Sequence, residues 1–192
     1  MTRFESNRSS SSTNLCGVRS VSNERLILAK QYSGAKILQF DISDHNNLSV
    51  NANKCIEILD GRVDVLINNA GIGVSKPISD LNIDDFLNVF NVNVFGLALF
   101  TKEVSKYMIK ESYGTIINIG SSASLRGYKN GSIYASSKFA VRCLTQCWQA
   151  ELRPYNIRVC QINPSEVTTA FGSSERIERE EVCNKLASVE YG

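Results

Sequence analysis

Short apolar runs alternate with longer segments of mixed polarity along most of this chain. The apolar runs are rich in β-branched residues and end at glycine or polar positions, which is typical of buried strands. They predict strands at residues 36–40, 63–67, 115–120 and 156–162, with 15–19 a candidate for the end of one more. The mixed segments carry apolar residues at helical spacing and predict helices at residues 23–32, 43–59, 84–110, 134–153 and 175–186.

The length of 192 residues is that of one domain with enough chain to bury a core. The N-terminal segment to Asn14 is mostly polar and includes four consecutive serines, Ser9 to Ser12. It predicts a disordered tail at 1–14, followed by a single domain at 15–192.

Composition narrows the class of protein further. Apolar content of 43%, charge content of 21% and a net charge of +2 are ordinary for a globular protein and give no case for nucleic acid. No apolar run approaches the length of a membrane span and no signal-peptide core is present, so we expect a cytoplasmic protein. The six cysteines lack C-x-x-C spacing and His45 is the only histidine, so we predict reduced, mostly buried thiols and no metal site.

Candidate chemistry is concentrated at Tyr134 and Lys138, which are four residues apart and share one face of a predicted helix. A free tyrosine has a pKa of about 10, and a neighbouring positive charge lowers that pKa. The pair is therefore a candidate general acid and base for carbonyl chemistry. The alternative is a solvated pair on an ordinary helix face.

Further polar residues lie where strands are predicted to end. Ser121 follows the strand at 115–120 and precedes Tyr134 by thirteen residues, with Ser122 as the alternative hydroxyl. The sequence N-N-A-G at 68–71 follows the strand at 63–67. Asn93 interrupts an apolar stretch of a predicted helix, where a buried amide must be hydrogen-bonded. Asp41 follows the strand at 36–40 and could equally cap the next helix.

Together these motifs resemble the classical short-chain dehydrogenase/reductase family over residues 36 to 169, and most closely its 3-oxoacyl-carrier-protein reductases. The resemblance implies an α/β fold: a Rossmann-like, doubly wound parallel sheet with helices on both faces. It implies hydride transfer between NADP or NAD, with NADP the first choice, and a small-molecule ketone or secondary alcohol. It also implies a homodimer or homotetramer, paired through the helices at 84–110 and 134–153.

The resemblance also assigns roles to individual residues. The catalytic residues would be Asn93, Ser121, Tyr134 and Lys138. The cofactor would be bound by Asp41, Ile42, Asn69, Ala70, Gly71, Tyr134, Lys138, Pro164, Val167 and Thr169. Asn93 would hold a water through its backbone carbonyl, although a polar contact between helices would also explain a buried asparagine. Two positions depart from the family pattern, because Ser124 and Ser165 stand where glycine is usual.

The glycine-rich phosphate motif that opens this family is missing, along with the strand and helix around it and the last strand. In the strand order 3-2-1-4-5-6 the missing strand is central, so its loss predicts a gap between the strands at 36–40 and 63–67. Either residues 15–19 fill that gap or the chain is a truncated or rearranged relative. The competing hypothesis is therefore an inactive relative that serves as a binding or assembly module.

Overall fold

The structure is a computed structural model that describes residues 2–8, 11–18 and 35–165; at 2–8, 11–18 and 35 only the course of the backbone is described. The strands are β1 (Thr2–Arg8), β2 (Ser11–Val18), β3 (Ala35–Gln39), β4 (Val65–Asn68), β5 (Gly114–Ile119) and β6 (Ile157–Ile162). The longer helices are α1 (Leu48–Ile58), α2 (Ile83–Phe90), α3 (Leu97–Glu111) and α4 (Ser132–Leu152). A π-helical segment, Asn91–Gly96, joins α2 to α3 and is called the π-turn below.

The six strands form one sheet in the order β3-β2-β1-β4-β5-β6. β2 is parallel to β3, and β4, β5 and β6 are parallel to one another. β1 is antiparallel to both of its neighbours, with Thr2 opposite Asn68 of β4 and opposite Gly17 of β2. The α/β class and the mostly parallel sheet agree with the sequence prediction.

The gap in the sheet is filled, as the first of the two alternatives predicted: β2, which includes residues 15–18, pairs with β3. The strand β1, which was not predicted, lies between β2 and β4. The prediction of a disordered tail through Asn14 also differs from the structure, which has strands over Thr2–Arg8 and Ser11–Val18. The inner edges of β3 and β4 carry backbone groups that need hydrogen-bonding partners, and even a polar segment supplies those through its own backbone. Only two residues separate β1 from β2, so no helix connects them.

The helices α1, α3 and α4 cover one face of the sheet. Asn68 of β4 bonds Thr101 of α3, and Asn118 of β5 bonds Thr145 of α4 on the same face. The predicted helices at 23–32 and 175–186 and the remainder of the predicted domain to residue 192 lie outside the described residues. The helices predicted at 43–59, 84–110 and 134–153 agree with the structure to within a few residues at each end.

The hydrophobic core lies between this helical layer and the sheet. Its fully buried members include Leu48, Leu66, Phe100, Val104 and Ile116. Cys55 is buried, as predicted, whereas Cys143 and Cys147 are exposed on α4, so the prediction of mostly buried thiols is wrong for that pair. In the part of the chain that the structure describes, no group of histidine, cysteine and acidic side chains could hold a metal ion.

Residues 83–111 form one continuous helical stretch of 29 residues, counting α2, the π-turn and α3. By length and composition alone it could cross a membrane, with a mean hydropathy of 1.3 in its most apolar window. Its inward side contributes Val92, Phe100, Val104 and Met108 to the core. The core helix of a soluble protein passes the same test, so this helix is weak evidence for a membrane.

Candidate active site at the carboxyl ends of the strands

Ser121 is held at the end of β5 by the short helix that follows it. Its Oγ accepts a hydrogen bond from the Ala123 N–H at 3.1 Å, and its own N–H donates to Ser124 Oγ at 3.1 Å. These reciprocal bonds form a capping box at a helix N-terminus. The buried Ser124, which departs from the family pattern, therefore has a structural role that glycine could not fill.

Tyr134 lies in the first turn of α4, half-buried, with a hydrogen bond to Ser121. Burial raises the pKa of its phenol, the Ser121 hydrogen bond lowers that pKa, and the nearby Tyr128 raises it; the net direction is upward. The expectation that the pKa of Tyr134 lies below its ordinary value is therefore wrong for this structure, because burial has the largest effect on it. The Lys138 ammonium lies 5.8 Å from the centroid of the Tyr134 ring and is bonded elsewhere.

Lys138 is a buried lysine, with 5% of its surface exposed. Its Nζ donates to the carbonyl oxygen of Ile119 at 2.8 Å, and burial lowers the pKa of its ammonium group to about 8. An ammonium group has three N–H donors. Among the described residues, the Ile119 carbonyl is the one hydrogen-bond acceptor that this ammonium group contacts. The ammonium group therefore has N–H donors left for a ligand.

Asn93 lies inside the π-turn and is almost completely buried. Its Oδ1 accepts from the Ile72 N–H and its Nδ2 donates to the Ile72 carbonyl, each at 2.9 Å, while Nδ2 also donates to Ser137 Oγ at 3.0 Å. The side chain thus ties the loop after β4 to α4, which is the polar contact between elements that the sequence left open. Single π-helical turns inside α-helices are frequent at functional sites.

Gly71 connects Asn93 with Lys138. A Cβ atom placed on Gly71 would lie 3.5 Å from Asn93 Oδ1 and 3.6 Å from Lys138 Nζ. This glycine therefore lies beside both side chains at once. The structure brings together Ser121, Tyr134 and Lys138, with Asn93 on the far side of Gly71.

The predicted cofactor residues are distributed along the same edge of the sheet. Asp41 Oδ1 accepts from the N–H and Oγ of Ser43, at 2.9 and 2.7 Å, so its carboxylate does brace the turn after β3. The Ile42 side chain lies in the core, which leaves only its backbone for a ligand. Asn69 is exposed, and Ala70 is half-buried and packs against the core.

The loop after β6 approaches Ser121 through backbone contacts. The Pro164 carbonyl accepts from the Ser122 N–H at 2.8 Å, so Ser122, the alternative hydroxyl, is bonded through its backbone to this loop. Val167 and Thr169 lie outside the described residues. Sequence reasoning missed Ser137 and Tyr128, because a serine inside a helix and a tyrosine in a loop carry no motif of their own.

A mostly parallel sheet with polar side chains meeting at the carboxyl ends of its strands defines a Rossmann-like α/β protein. A family model described as short chain dehydrogenase matches residues 13–180. The chain belongs to the short-chain dehydrogenase family.

Curated relatives and solved structures agree with this assignment. The chain is 36% identical over 117 residues to 3-ketodihydrosphingosine reductase of Bacteroides thetaiotaomicron, covering 61% of this chain and 44% of that protein. It is 35% identical over 135 residues to trans-4-hydroxycyclohexanecarboxylate dehydrogenase of Sinomonas cyclohexanicum, covering 70% and 51%. The structure of ElxO with NADP bound aligns with a TM-score of 0.74 at 28% identity, over 93% of this chain and 69% of that one.

The chain spans about half the length of the curated relatives it matches.

Proposed function

We propose that this chain is an oxidoreductase that transfers a hydride between NADPH or NADH and a ketone or secondary alcohol. The observation that supports this most is the meeting of the Ser121 and Tyr134 hydroxyls beside the buried ammonium group of Lys138. A carbonyl oxygen at this point would have a hydroxyl to steady it and a phenol to protonate it, which is what ketone reduction requires of a protein.

Tyr134 is the proton donor in the reductive direction of this proposal. Because burial raises its pKa, the phenol keeps its proton near neutral pH and has it available for a developing alkoxide. Ser121 holds the carbonyl oxygen within reach of the phenol, since the two hydroxyls are already hydrogen-bonded. Reduction then leaves a tyrosinate, which the nearby Lys138 ammonium stabilises electrostatically.

Lys138 and Asn93 have supporting roles. The N–H groups of Lys138 that remain after the Ile119 bond are suited to the hydroxyls of a ribose. Asn93 fixes the loop after β4 against α4, and its backbone carbonyl would hold a water through which the phenol is reprotonated. Both residues lie beside Gly71 in the loop after β4.

The described residues suit a nicotinamide dinucleotide at its two ends. The turn at Asp41 and Ile42 would receive the adenine, the loop at 69–71 the adjoining ribose, and the loop at Pro164 the carboxamide. Val167 and Thr169, which the family resemblance adds at the carboxamide, lie outside the described residues. A bound nicotinamide would supply the hydride, and the protein supplies position and charge. NADP is the first choice because ElxO and a gluconate 5-dehydrogenase of Burkholderia cenocepacia were solved with NADP.

The pyrophosphate is the part of the cofactor that these residues do not fit. In the family this group binds at a helix N-terminus that follows a strand and a glycine-rich loop. Here β1 runs the opposite way, so its end at Arg8 lies at the far edge of the sheet from Asn68. This observation favours the second candidate function, an inactive relative that acts as a binding or assembly module.

An assay of the purified chain with NADPH and NADH against a panel of ketones tests the proposal. The names of two relatives, trans-4-hydroxycyclohexanecarboxylate dehydrogenase and cyclopentanol dehydrogenase, make cyclic ketones the first substrates to try. We expect reduction that is lost in Tyr134→Phe. No turnover above that of the variant with any ketone, at saturating nucleotide, would favour the binding module instead.

A further inference from the structure

The turn after β3 is packed directly against the π-turn that carries Asn93. His45 Nε2 lies 3.0 Å from the backbone carbonyl oxygen of Asn91, the first residue of the π-turn. The His45 ring also meets the Phe95 ring edge to face, with centroids 6.3 Å apart and planes at 81°. A Cβ atom on Gly96 would overlap the carbonyl oxygen of Ile42, so the two backbones are in contact there.

The hydrogen bond between His45 and Asn91 has one possible direction. A carbonyl oxygen can only accept, so the imidazole must carry its proton on Nε2 and donate it. Asn91 is the residue at which the regular helix α2 gives way to the wider π-turn. A hydrogen bond donated to this carbonyl from outside the helix stabilises the change from α-helical to π-helical backbone hydrogen bonding. That change sets the position of Asn93.

We propose that His45 is a positioning residue for Asn93: it fixes the start of the π-turn and so connects the turn expected to receive the adenine with the asparagine of the active site. This inference rests on the proposed function for its effect on turnover, but not for its effect on the π-turn. The turn itself is braced at one end by Asp41, whose backbone carbonyl accepts from the Asp44 N–H at 3.2 Å. Asp41 and His45 thus occupy the two ends of one short, hydrogen-bonded segment.

Three substitutions separate the hydrogen bond from the ring. His45→Phe keeps an aromatic ring against Phe95 and removes the donor. His45→Gln removes the ring and retains an N–H donor at nearly the position of Nε2. Tyr107→Phe is the matched control, because Tyr107 Oη donates to Asn53 Oδ1 at 2.9 Å and joins α1 to α3, the helices that follow His45 and the π-turn in the chain.

The first measurement is amide hydrogen exchange and the chemical shift of the Asn93 side-chain amide in ¹⁵N-labelled protein. In His45→Phe we expect exchange of the π-turn amides to quicken about three- to tenfold, the loss of one ordinary hydrogen bond, and the Asn93 resonance to move. His45→Gln should restore both, and Tyr107→Phe should change neither. The inference is overturned if His45→Phe leaves the Asn93 resonance in place, or if His45→Gln behaves like His45→Phe.

The second measurement is turnover, which separates this inference from the proposed function. If the wild-type chain reduces a ketone, His45→Phe should lower kcat by about three- to tenfold with the KM for the ketone within about twofold, because a misplaced relay slows chemistry rather than binding. Equal loss in Tyr107→Phe would indicate general loosening and count against the inference. If the wild type has no activity, the proposed function fails while the exchange experiment still decides the role of His45.

Discussion

At the scale of single residues, burial has the largest effect on the candidate catalytic pair. It raises the pKa of Tyr134 and lowers that of Lys138 to about 8, in both cases because it disfavours the charged form. Near neutral pH the phenol is therefore neutral and the ammonium still largely charged. These are the protonation states that a reductase needs before its substrate binds.

Replacing Tyr134 by phenylalanine should remove nearly all reductase activity and leave the fold intact. The substitution deletes only the hydroxyl, and positioned acids and bases contribute typically about 10²–10⁴-fold to a rate. Steady-state assays beside circular dichroism of both proteins check this. Tyr128→Phe is the control, since it removes the neighbouring loop phenol; activity of Tyr134→Phe within about twofold of wild type would contradict the role assigned to Tyr134.

Reduction should slow as the pH rises through about 8, where Lys138 loses its charge. Below that pH the ammonium is present and can stabilise the tyrosinate that reduction leaves; above it the group is neutral. A pH profile of kcat at saturating substrate checks the position of this fall. A profile that stays flat to about pH 10 would mean that the charge of Lys138 is not used in turnover.

Lys138 should also make stability depend on pH in a direction opposite to that of an ordinary paired lysine. Its pKa is lower in the folded chain, about 8, than in the unfolded chain, so the unfolded chain binds more protons between those values. The free energy of unfolding of the wild type should therefore rise, relative to Lys138→Met, by about 3 kcal/mol from about pH 7 to about pH 11. Urea unfolding of both proteins across this range measures the difference, and a constant difference would mean that the ammonium is not buried.

Residue spacing predicted much of the candidate site but not its electrostatics. Ser121, Tyr134 and Lys138 could be selected because one follows a strand and the other two share a helix face. The depth at which Lys138 is buried depends on the packing of α4 against β5, which no local pattern encodes. Its hydrogen bond to Ile119 and the contact of His45 with Asn91 join residues 19 and 46 positions apart, beyond the reach of sequence motifs.

At the scale of elements, a chain of buried side-chain hydrogen bonds fastens the helical layer to the sheet. Asn68 Nδ2 donates to Thr101 of α3 and to Asn118 of β5, both at 2.8 Å, and Asn118 Nδ2 donates to Thr145 of α4 at 2.9 Å. Thr145 in turn lies 3.1 Å from Gln161 of β6. Asn68 Oδ1 is buried without a hydrogen-bond partner among the described residues, which makes this network costly to disturb further.

Asn118→Leu should therefore lower the free energy of unfolding by about 2–3 kcal/mol. The substitution keeps the volume of the side chain but removes the amide that hydrogen-bonds Asn68 and Thr145. Donor and acceptor groups on those two residues then lose a partner, and an unsatisfied buried group costs about 1–3 kcal/mol. Urea unfolding is the measurement. Asn53→Ala, which breaks an exposed hydrogen bond to Tyr107, is the control and should cost well under half as much. Equal losses would show that the buried hydrogen bonds contribute no more to stability than the exposed one.

Helical periodicity predicted the helix at 84–110 but not the π-turn within it. One extra residue in a helical turn shifts the apolar face only slightly, so the hydrophobic pattern remains continuous through Val92, Val94 and Leu97. Within the π-turn the Ile42 backbone packs closely against Gly96, a contact between distant parts of the chain that no local pattern encodes. The short helix at Ser122–Ser124 was missed for a similar reason, because its glycine- and serine-rich surroundings are typical of a loop.

At the scale of the whole molecule, the exposed apolar side chains predict self-association. On the two helices that were predicted to pair, Val89, Leu97, Phe100 and Leu152 are buried in the core, so they do not contribute to an interface. Phe139 is 41% exposed on α4, and Phe95 and Leu99 are 44% and 38% exposed on the π-turn and α3. We propose that these three form a symmetric interface between two copies of the chain.

Leu99→Glu and Phe139→Glu should each weaken that dimer, because a carboxylate in an apolar interface must be desolvated. Sedimentation velocity over a range of micromolar concentrations compares them with the wild type. Ile78→Glu is the control, since Ile78 is 85% exposed in the short 3₁₀ helix Ile78–Asp80, outside the π-turn, α3 and α4. A wild-type chain that sediments as a monomer throughout would refute the interface.

The last prediction concerns the cofactor: the chain as printed should bind NADPH and NADH weakly. The adenine turn at Asp41 and the lysine at the nicotinamide end are present. Because β1 runs antiparallel to β4, no strand-to-helix turn lies beside Asn68 to receive the pyrophosphate among the residues that the structure describes. Charge-assisted hydrogen bonds are worth about 1.5–3 kcal/mol each, so losing two or three would cost several orders of magnitude in affinity at about 1.4 kcal/mol per tenfold. Calorimetric titration of both nucleotides is the measurement. Adenosine is the control ligand: it has no pyrophosphate, so the lack of an anion site should weaken its binding little. Micromolar binding of NADPH would refute the prediction. A second protein would carry a strand, glycine loop and helix of the family type in front of Thr2. If only that protein binds tightly, the missing anion site is the cause of the weak binding.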